Sequence, residues 1–508
     1  MKRWPPLALI LALLVGGLIV ARDGSTRGDD AADVVDPGTL MPVAAPDDAL
    51  DGSWFCAGQS AGDDTPADGT LVVANVGDTV ATGTVEVVAA GGDEPVVEPL
   101  EVAPRTTERI RLADLLEADW VAAEVQVEGG TVVVEHEVVG EHGRDVAPCQ
   151  SRAGDSWMLP AGASTRDAIF TLAIYNPYAG DARVDLAFTT EDSVREPADL
   201  QGLAIAPGAV VAVDVSALVT ERAVIATTVA ATRGQVVVDR IQTYDGQGAA
   251  TTEEEAEAET YQREGLTVTP AVPGPRRVWV FPAGLRSGFV HEQVVLFNPA
   301  EEAAEVELEF ALDEPERNGV LDPLPVTVPP GAFTVFDVDT IESIPNRVSH
   351  SITVRAENGV PVVAERTLAA AGEDPLYLGT AASTGSPVAS ERWAFASGPD
   401  DDEAGRIVVT NSGDEAVDVQ LSAFGDGETV PTGEDADEQD ASSFTLQPGG
   451  RREVVLADLD DDQRSVEVVA SGPVVAERRL FSALTDEVGM GTSVALGVPL
   501  REGLVVLD

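Results

Sequence analysis

Apolar and polar residues alternate one by one along many short stretches of this chain. In the run AEVELEF, Val306, Leu308 and Phe310 fall on one side, and Glu305, Glu307 and Glu309 on the other. RVDLAF repeats the pattern with Val184, Leu186 and Phe188, and VDVQL with Val417, Val419 and Leu421. A period of two predicts strands with one buried and one wet face, the habit of antiparallel sheets. Turn signals punctuate these runs: asparagines before Pro or Gly, and Pro-Gly pairs at Pro207, Pro330 and Pro448. No long helical or heptad periodicity is visible.

The strand-like runs recur in a fixed order. Four marks appear four times each. The first is a tryptophan followed closely by glycine: SWFCAG at Trp54, SWMLPAG at Trp157, VWVFPAG at Trp279 and RWAFASG at Trp393. The second is an apolar run ending in Asn75, Asn176, Asn298 or Asn411. The third is a proline turn and another strand: VAPRTTERIRLADL, IAPGAVVAVDVSAL, VPPGAFTVFDVDTI and LQPGGRREVVLADL. The fourth is a valine-rich strand carrying an acid and a base: Glu135-His136, Asp239-Arg240, Glu365-Arg366 and Glu477-Arg478.

A unit of roughly 100–120 residues is too long for a propeller blade or solenoid turn and fits one small β-sandwich. The expected fold is all-β: four tandem Ig-like antiparallel β-sandwich repeats at 50–150, 151–262, 270–384 and 385–508. They follow a signal anchor or transmembrane helix at 1–21 and a disordered linker at 22–49. The acidic runs 251–260 and 425–443 read as solvated loops. The acid, Ser or Thr closing the third mark (Asp114, Ser216, Asp339, Asp458) is expected to cap a helical turn. One tryptophan per copy is expected as a core plug, with sugar stacking as the rival role. Neighbours on a strand point to opposite faces, so Glu365 and Arg366, or Glu477 and Arg478, cannot pair with each other. Each is expected to take a cross-strand partner and set register, with a shared binding stripe as the alternative.

Charge narrows the partners. The 508 residues include 88 acids against 31 Lys and Arg, a net charge of −57, and Lys2 is the only lysine. Such a surface repels phosphate backbones and excludes nucleic acid. The N-terminus, basic at Lys2 and Arg3 and then apolar from Pro5 to Ala21, reads as an uncleaved anchor or a cleaved signal. It implies a single pass in the cytoplasmic membrane with the bulk exported, or a secreted chain. Cys56 and Cys149, the only cysteines, are then expected to form a disulfide.

Catalytic signals are weak. His136 and His142 stand six apart in strand-like sequence, not at helical zinc spacing, and His291 and His350 lie elsewhere. The acidic loops at Asp400, Asp401, Asp402 and Glu403, and at Asp458, Asp460, Asp461 and Asp462, offer oxygens for weak calcium binding without EF-hand spacing. No cofactor is expected. No nucleophile elbow, Ser-x-x-Lys pair or phosphate loop is present, so the chain reads as a non-enzyme.

The series Trp, Asn-Pro, Pro-Gly, Val-Val-Ala-Glu-Arg resembles repeats in exported proteins of GC-rich Gram-positive bacteria. The layout is similar to an uncharacterised actinobacterial membrane-anchored family. The resemblance implies a cell-envelope setting and assigns no catalytic residue. The expected function is a structural, adhesive or partner-binding scaffold, a rod or compact array, engaging an unknown envelope protein or glycan. The alternatives are a carbohydrate-binding module array, and a cell-wall glycan hydrolase or its accessory.

Overall fold

A computed structural model describes residues 36–46, 49–92, 94–129, 131–248, 263–287, 290–313, 321–370, 379–399, 403–425, 427, 429–431, 442–456, 465–482 and 491–508. Among them the chain is all-β, with four short 3-10 turns and no α-helix. Residues 37–508 form one compact unit.

The alternating runs become strands as expected. In Ala304–Leu312, Val306, Leu308 and Phe310 are buried and the three glutamates between them are not. The second and third blocks each carry two antiparallel sheets, whereas in the first a parallel bridge at Ser60 and Asp68, and in the fourth the long strand Ser465–Ser482, joins the layers into one sheet. In the third block, one has the order Val278–Arg286, Val348–Ala356, Ala304–Leu312, Leu324–Val328, and begins with the tryptophan strand. The other has the order Ala332–Asp337, Val290–Asn298, Val363–Ala370, Gly379–Thr384. The second pairing recurs in every block. It sets an asparagine strand beside the acid–base strand, and that beside a last strand: Gly143–Pro148, Glu264–Pro270, Gly379–Thr384 or Gly491–Leu496. The strand Glu264–Pro270 completes the second block although it follows the acidic run that reads as that block's end.

These four last strands pack on one another in a cycle, first on second, second on third, third on fourth, and fourth back on first. The blocks therefore close into a ring around a common axis. Closure changes what the inner sheets face. The runs Val132–Val134, Val236–Val238, Val362–Ala364 and Val474–Ala476 are apolar without a break and buried at every position. Their second faces pack on the neighbouring block, as through Val138, Val237, Ile241 and Leu266 between the first and second blocks. One buried and one wet face holds for the outer sheets only.

Each repeated asparagine is buried and holds its turn in the same way. The Asn298 side-chain oxygen accepts from Ala300 N–H at 2.9 Å, and its amide donates to the carbonyls of Glu302 at 2.8 Å and Val328 at 3.0 Å. Asn75, Asn176 and Asn411 make the equivalent bonds. Alanine at Asn298 would strand the buried Val328 carbonyl and remove the bonds to Ala300 and Glu302, and is expected to cost ~1–3 kcal/mol, read as a lower denaturant midpoint. A loss below the error of that measurement would show that water replaces the amide.

Three expectations need correction. The cytoplasmic membrane as a partner through an N-terminal helix, and the single-pass location drawn from it, lack their support. No helix among the described residues is long and apolar enough to cross a membrane. Residues 1–21 lie outside the described residues, and their apolar run sits at the short limit of the ~17–25 residues a span needs. The linker at 22–49 is not a tether at its distal end, because Leu40, Met41, Val43 and Ala44 are buried. Leu40, Met41 and Pro42 share one pocket with residues of all four axial strands and with Gly385. The closing residues of the third mark are not helix caps: Ser216 Oγ accepts from Phe170 N–H at 2.7 Å across the sheet, and Asp337, not Asp339, caps its turn. Asp458 and the acidic runs 251–260 and 432–441 lie outside the described residues.

Candidate functional site

The acid–base strands meet at the seams between blocks. Glu365 of the third block lies against Arg240 of the second, with Nη1 at 3.2 Å and Nη2 also bonded. Glu477 of the fourth accepts from Arg366 of the third at 2.7 Å. Glu135 of the first accepts from Arg478 of the fourth at 2.7 Å, and that pair closes the ring. All six side chains are buried. The partner of each charge is thus on the next block, not on a neighbouring strand of the same sheet. Full burial also removes the shared binding stripe.

A backbone device completes each seam. The strands that carry Trp54, Trp157 and Trp279 slip register just after the tryptophan, at residues 57–58, 160–161 and 282–283. A bulge takes an N–H out of its own ladder. Here the next block's acid receives it: Ala161 N–H donates to Glu365 at 3.0 Å and Ala283 N–H to Glu477 at 2.8 Å, while in the fourth block Ser397 N–H, just past the strand end at Phe395, donates to Glu135 at 2.8 Å. The tryptophan ties bulge and acid strand together. Nε1 of Trp157, Trp279 and Trp393 donates to the carbonyls of Val236, Val362 and Val474, each three residues before the acid. All four repeated tryptophans, Trp54 included, are at most 3% exposed, so they fill cores and offer no stacking face to a sugar. The carbohydrate-binding alternative loses the residues it rested on. Cys56 and Cys149 form a disulfide.

The first seam departs from this pattern. His136 stands where the other blocks carry arginine, and neither of its ring nitrogens has a hydrogen-bond partner among the described residues. Burial pushes the imidazole down to about 4. Asp239, one methylene shorter than glutamate, accepts from Ala57 N–H at 2.8 Å and Gly58 N–H at 3.0 Å. Burial pushes its carboxyl up to about 7 against those two bonds. Asp145 on the same seam, bonded to Val268 N–H at 2.8 Å, is likewise pushed up to about 7 by burial. The short acid reaches because Gly58 lacks a side chain where the other blocks have Ala161, Ala283 and Ser397. A Cβ there would lie 2.8 Å from Asp239 Cβ and 3.0 Å from Ile241 Cδ1. Gly58→Ala is therefore expected to cost ~1–3 kcal/mol of overpacking, measured by chemical denaturation. A neutral result would mean that the seam breathes enough to admit a methyl group.

The same seam holds a cleft of about 760 Å³. The equivalent groove between the second and third blocks is filled to about 50 Å³. There Tyr244, five residues after Asp239, stacks under Arg263 at 4.3 Å. Five residues after Glu135 the first block has Gly140, whose Cβ would lie 2.3 Å from the Pro66 carbonyl oxygen. Gly140 thus lets the 62–67 loop settle close by and bring Asp63 and Asp64 to the cleft rim. Glu141 and His142 stand on the same rim, and Trp120, Val139, Ile169, Ile241 and Leu266 supply the apolar wall.

Other candidate groups have separate fates. His350 Nε2 lies 3.0 Å from Glu292 in a buried pair. His291 sits between two carboxylates, Nδ1 at 2.8 Å from Asp339 and Nε2 at 3.8 Å from Asp337. These three are the only potential metal-holding group among the described residues. The acids lie against different ring nitrogens of His291. Asp400, Asp401, Asp402 and the acids at 458–462 lie outside the described residues, and so does the Glu403 side chain.

The model of a family of unknown function (DUF5719) matches residues 47–257, 138–364 and 245–491, each match beginning about one block further along. No curated protein matches. Among solved structures, the pilus backbone (RrgB) from Streptococcus pneumoniae is similar at 10% identity over 72% of this chain and 86% of that one, with a TM-score of 0.11. A score that low carries no argument about fold or function.

Proposed function

We infer that this chain, which belongs to the family of unknown function (DUF5719), is a non-catalytic scaffold of the cell envelope. On this reading four Ig-like sandwich modules, closed into a ring, hold a rigid surface toward a partner outside the cytosol. The observation that carries the reading is the buried acid–arginine relay. Its recurring charged groups are consumed in fixing one block to the next, and a buried pair serves specificity of arrangement more than stability. The disulfide supports an oxidising compartment, since such bonds persist outside the cytosol. The high negative charge supports a hydrated surface that discriminates against anionic partners.

Acid quenching of intact cells, followed by denaturing alkylation, tests the compartment directly. Cys56 and Cys149 are expected to stay unlabelled until a reductant is added. Labelling of both without reductant would put the chain in a reducing compartment and end the envelope reading.

A further inference from the structure

We propose that the cleft between the first and second blocks binds an apolar peptide segment bearing lysine or arginine, supplied by a partner protein. The proposal deepens the scaffold reading and rests on it, since it names the chemistry of the partner.

Three observations converge on this place. The first is room. At about 760 Å³ the cleft is of the size that takes a small ligand or a few side chains, while the matching groove one seam along has room for only about 50 Å³. The difference traces to Gly140 standing where the second block has Tyr244. The second is apolar surface left in water. Ile169 is 59% exposed and Val139 38% exposed, and both line the cleft, one from each block. Exposed apolar surface within a concave site with a polar rim is the mark of an interaction surface.

The third is charge. Arg111, the one arginine of the lining, is already held by Asp68 at 2.8 Å and by Asp63, so it is not available to an anion. Asp64 and Glu141 have no cation partner among the described residues. An apolar side chain lying on Ile169 and Val139 would bring a neighbouring ammonium or guanidinium to Asp64 and Glu141. A phosphate, a carboxylate or a nucleic acid would meet repulsion there. A neutral glycan would leave Ile169 and Val139 against hydroxyls.

The test is titration calorimetry of the full chain with a capped hexapeptide, Leu-Lys-Leu-Gly-Arg-Leu, and with its counterpart carrying glutamate at both basic positions. The basic peptide is expected to bind saturably at one site and the acidic one not at all. Ile169→Asp is the deciding variant. It adds one negative charge at an exposed position, so diffuse attraction to a highly acidic surface would be unchanged or stronger. Binding in the cleft should weaken at least tenfold. Asp64→Lys with Glu141→Lys should weaken it to a similar extent, with the melting temperature of each variant confirming an intact fold. Undiminished binding by Ile169→Asp, or no binding of the basic peptide at millimolar concentration, would overturn the proposal. Either result would leave the compartment and the relay untouched, so the scaffold reading fails only on its own thiol test.

Discussion

Glu135→Ala is expected to lower the stability of the whole ring by ~3–5 kcal/mol, the range for removing one partner of a buried ion pair. Three of the four seams are also held by the continuous chain. The seam between the fourth and first blocks is not, since Glu135 and Arg478 are 343 residues apart in sequence. Deleting the carboxylate there leaves the Arg478 guanidinium buried with the Ser397 carbonyl at 2.6 Å as its remaining neutral partner, and leaves Ser397 N–H without its acceptor. Glu135→Gln should cost less, because the amide oxygen still takes the Ser397 N–H. Denaturant unfolding of both variants, with the slope recorded, is the measurement. If alanine costs less than ~1 kcal/mol, the relay is an ornament and apolar packing alone closes the ring.

The first seam should respond in the opposite sense, and pH separates the two. The Asp239 carboxyl is held up near 7 by burial, above its unfolded value near 3.8. Its contribution to stability is complete below 3.8 and lost as pH rises through about 7. Asp145 follows the same sign. His136 opposes them only at lower pH: its folded value of about 4 lies below the unfolded 6.5, so its contribution is complete above 6.5 and lost as pH falls through 4. Between pH 6.5 and 8 the two acids still lose their protons while the contribution of His136 is constant. Stability should decline across that window in the parent and decline less in Asp239→Asn, whereas Glu135→Gln is weaker at both ends. A flat parent profile would show that both carboxylates are already charged or already neutral throughout.

Much of the architecture is legible in the sequence because period-two alternation and turn chemistry are local signals. Val306, Leu308 and Phe310 announce a half-buried strand, and the buried asparagines announce their turns. The disulfide follows from there being only two cysteines in a chain expected to be exported. The ring does not follow. Alternation says that Glu365 and Arg366 face opposite ways but not what each faces, and their partners lie on blocks more than a hundred residues distant. One signal was available. Val-Val-Ala before Glu-Arg is an unbroken apolar run, and such runs belong to strands covered on both faces. The cleft is harder to foresee. It depends on an absence, Gly140 in place of an aromatic, and becomes visible only once the second seam shows what normally fills the groove. The short apolar stretch at Leu40–Ala44 lacks periodicity altogether, so only the tertiary contacts reveal it as buried.

Replacing both cysteines, Cys56→Ala with Cys149→Ala, should have an effect of comparable size. The bond closes a separation of 93 residues, which in the chain-entropy model is worth about 4–5 kcal/mol. Its position adds a local consequence. Cys56 immediately precedes the bulge whose Ala57 and Gly58 N–H groups serve Asp239, and Cys149 N–H bonds the Val134 carbonyl at 3.0 Å, one residue before Glu135. The bridge therefore braces the two ends of the first block that serve its two seams. Both sulfurs are buried, so a reductant applied to the native ring should act only as fast as the block opens. Amide exchange in the double variant is expected to accelerate at Ala57, Gly58 and Glu135 ahead of the equivalent Ala161, Ala283 and Glu365, whose blocks have no bridge. Uniform acceleration over all four blocks would mean that the disulfide acts only through the unfolded chain, and that the first block needs no brace at its seams.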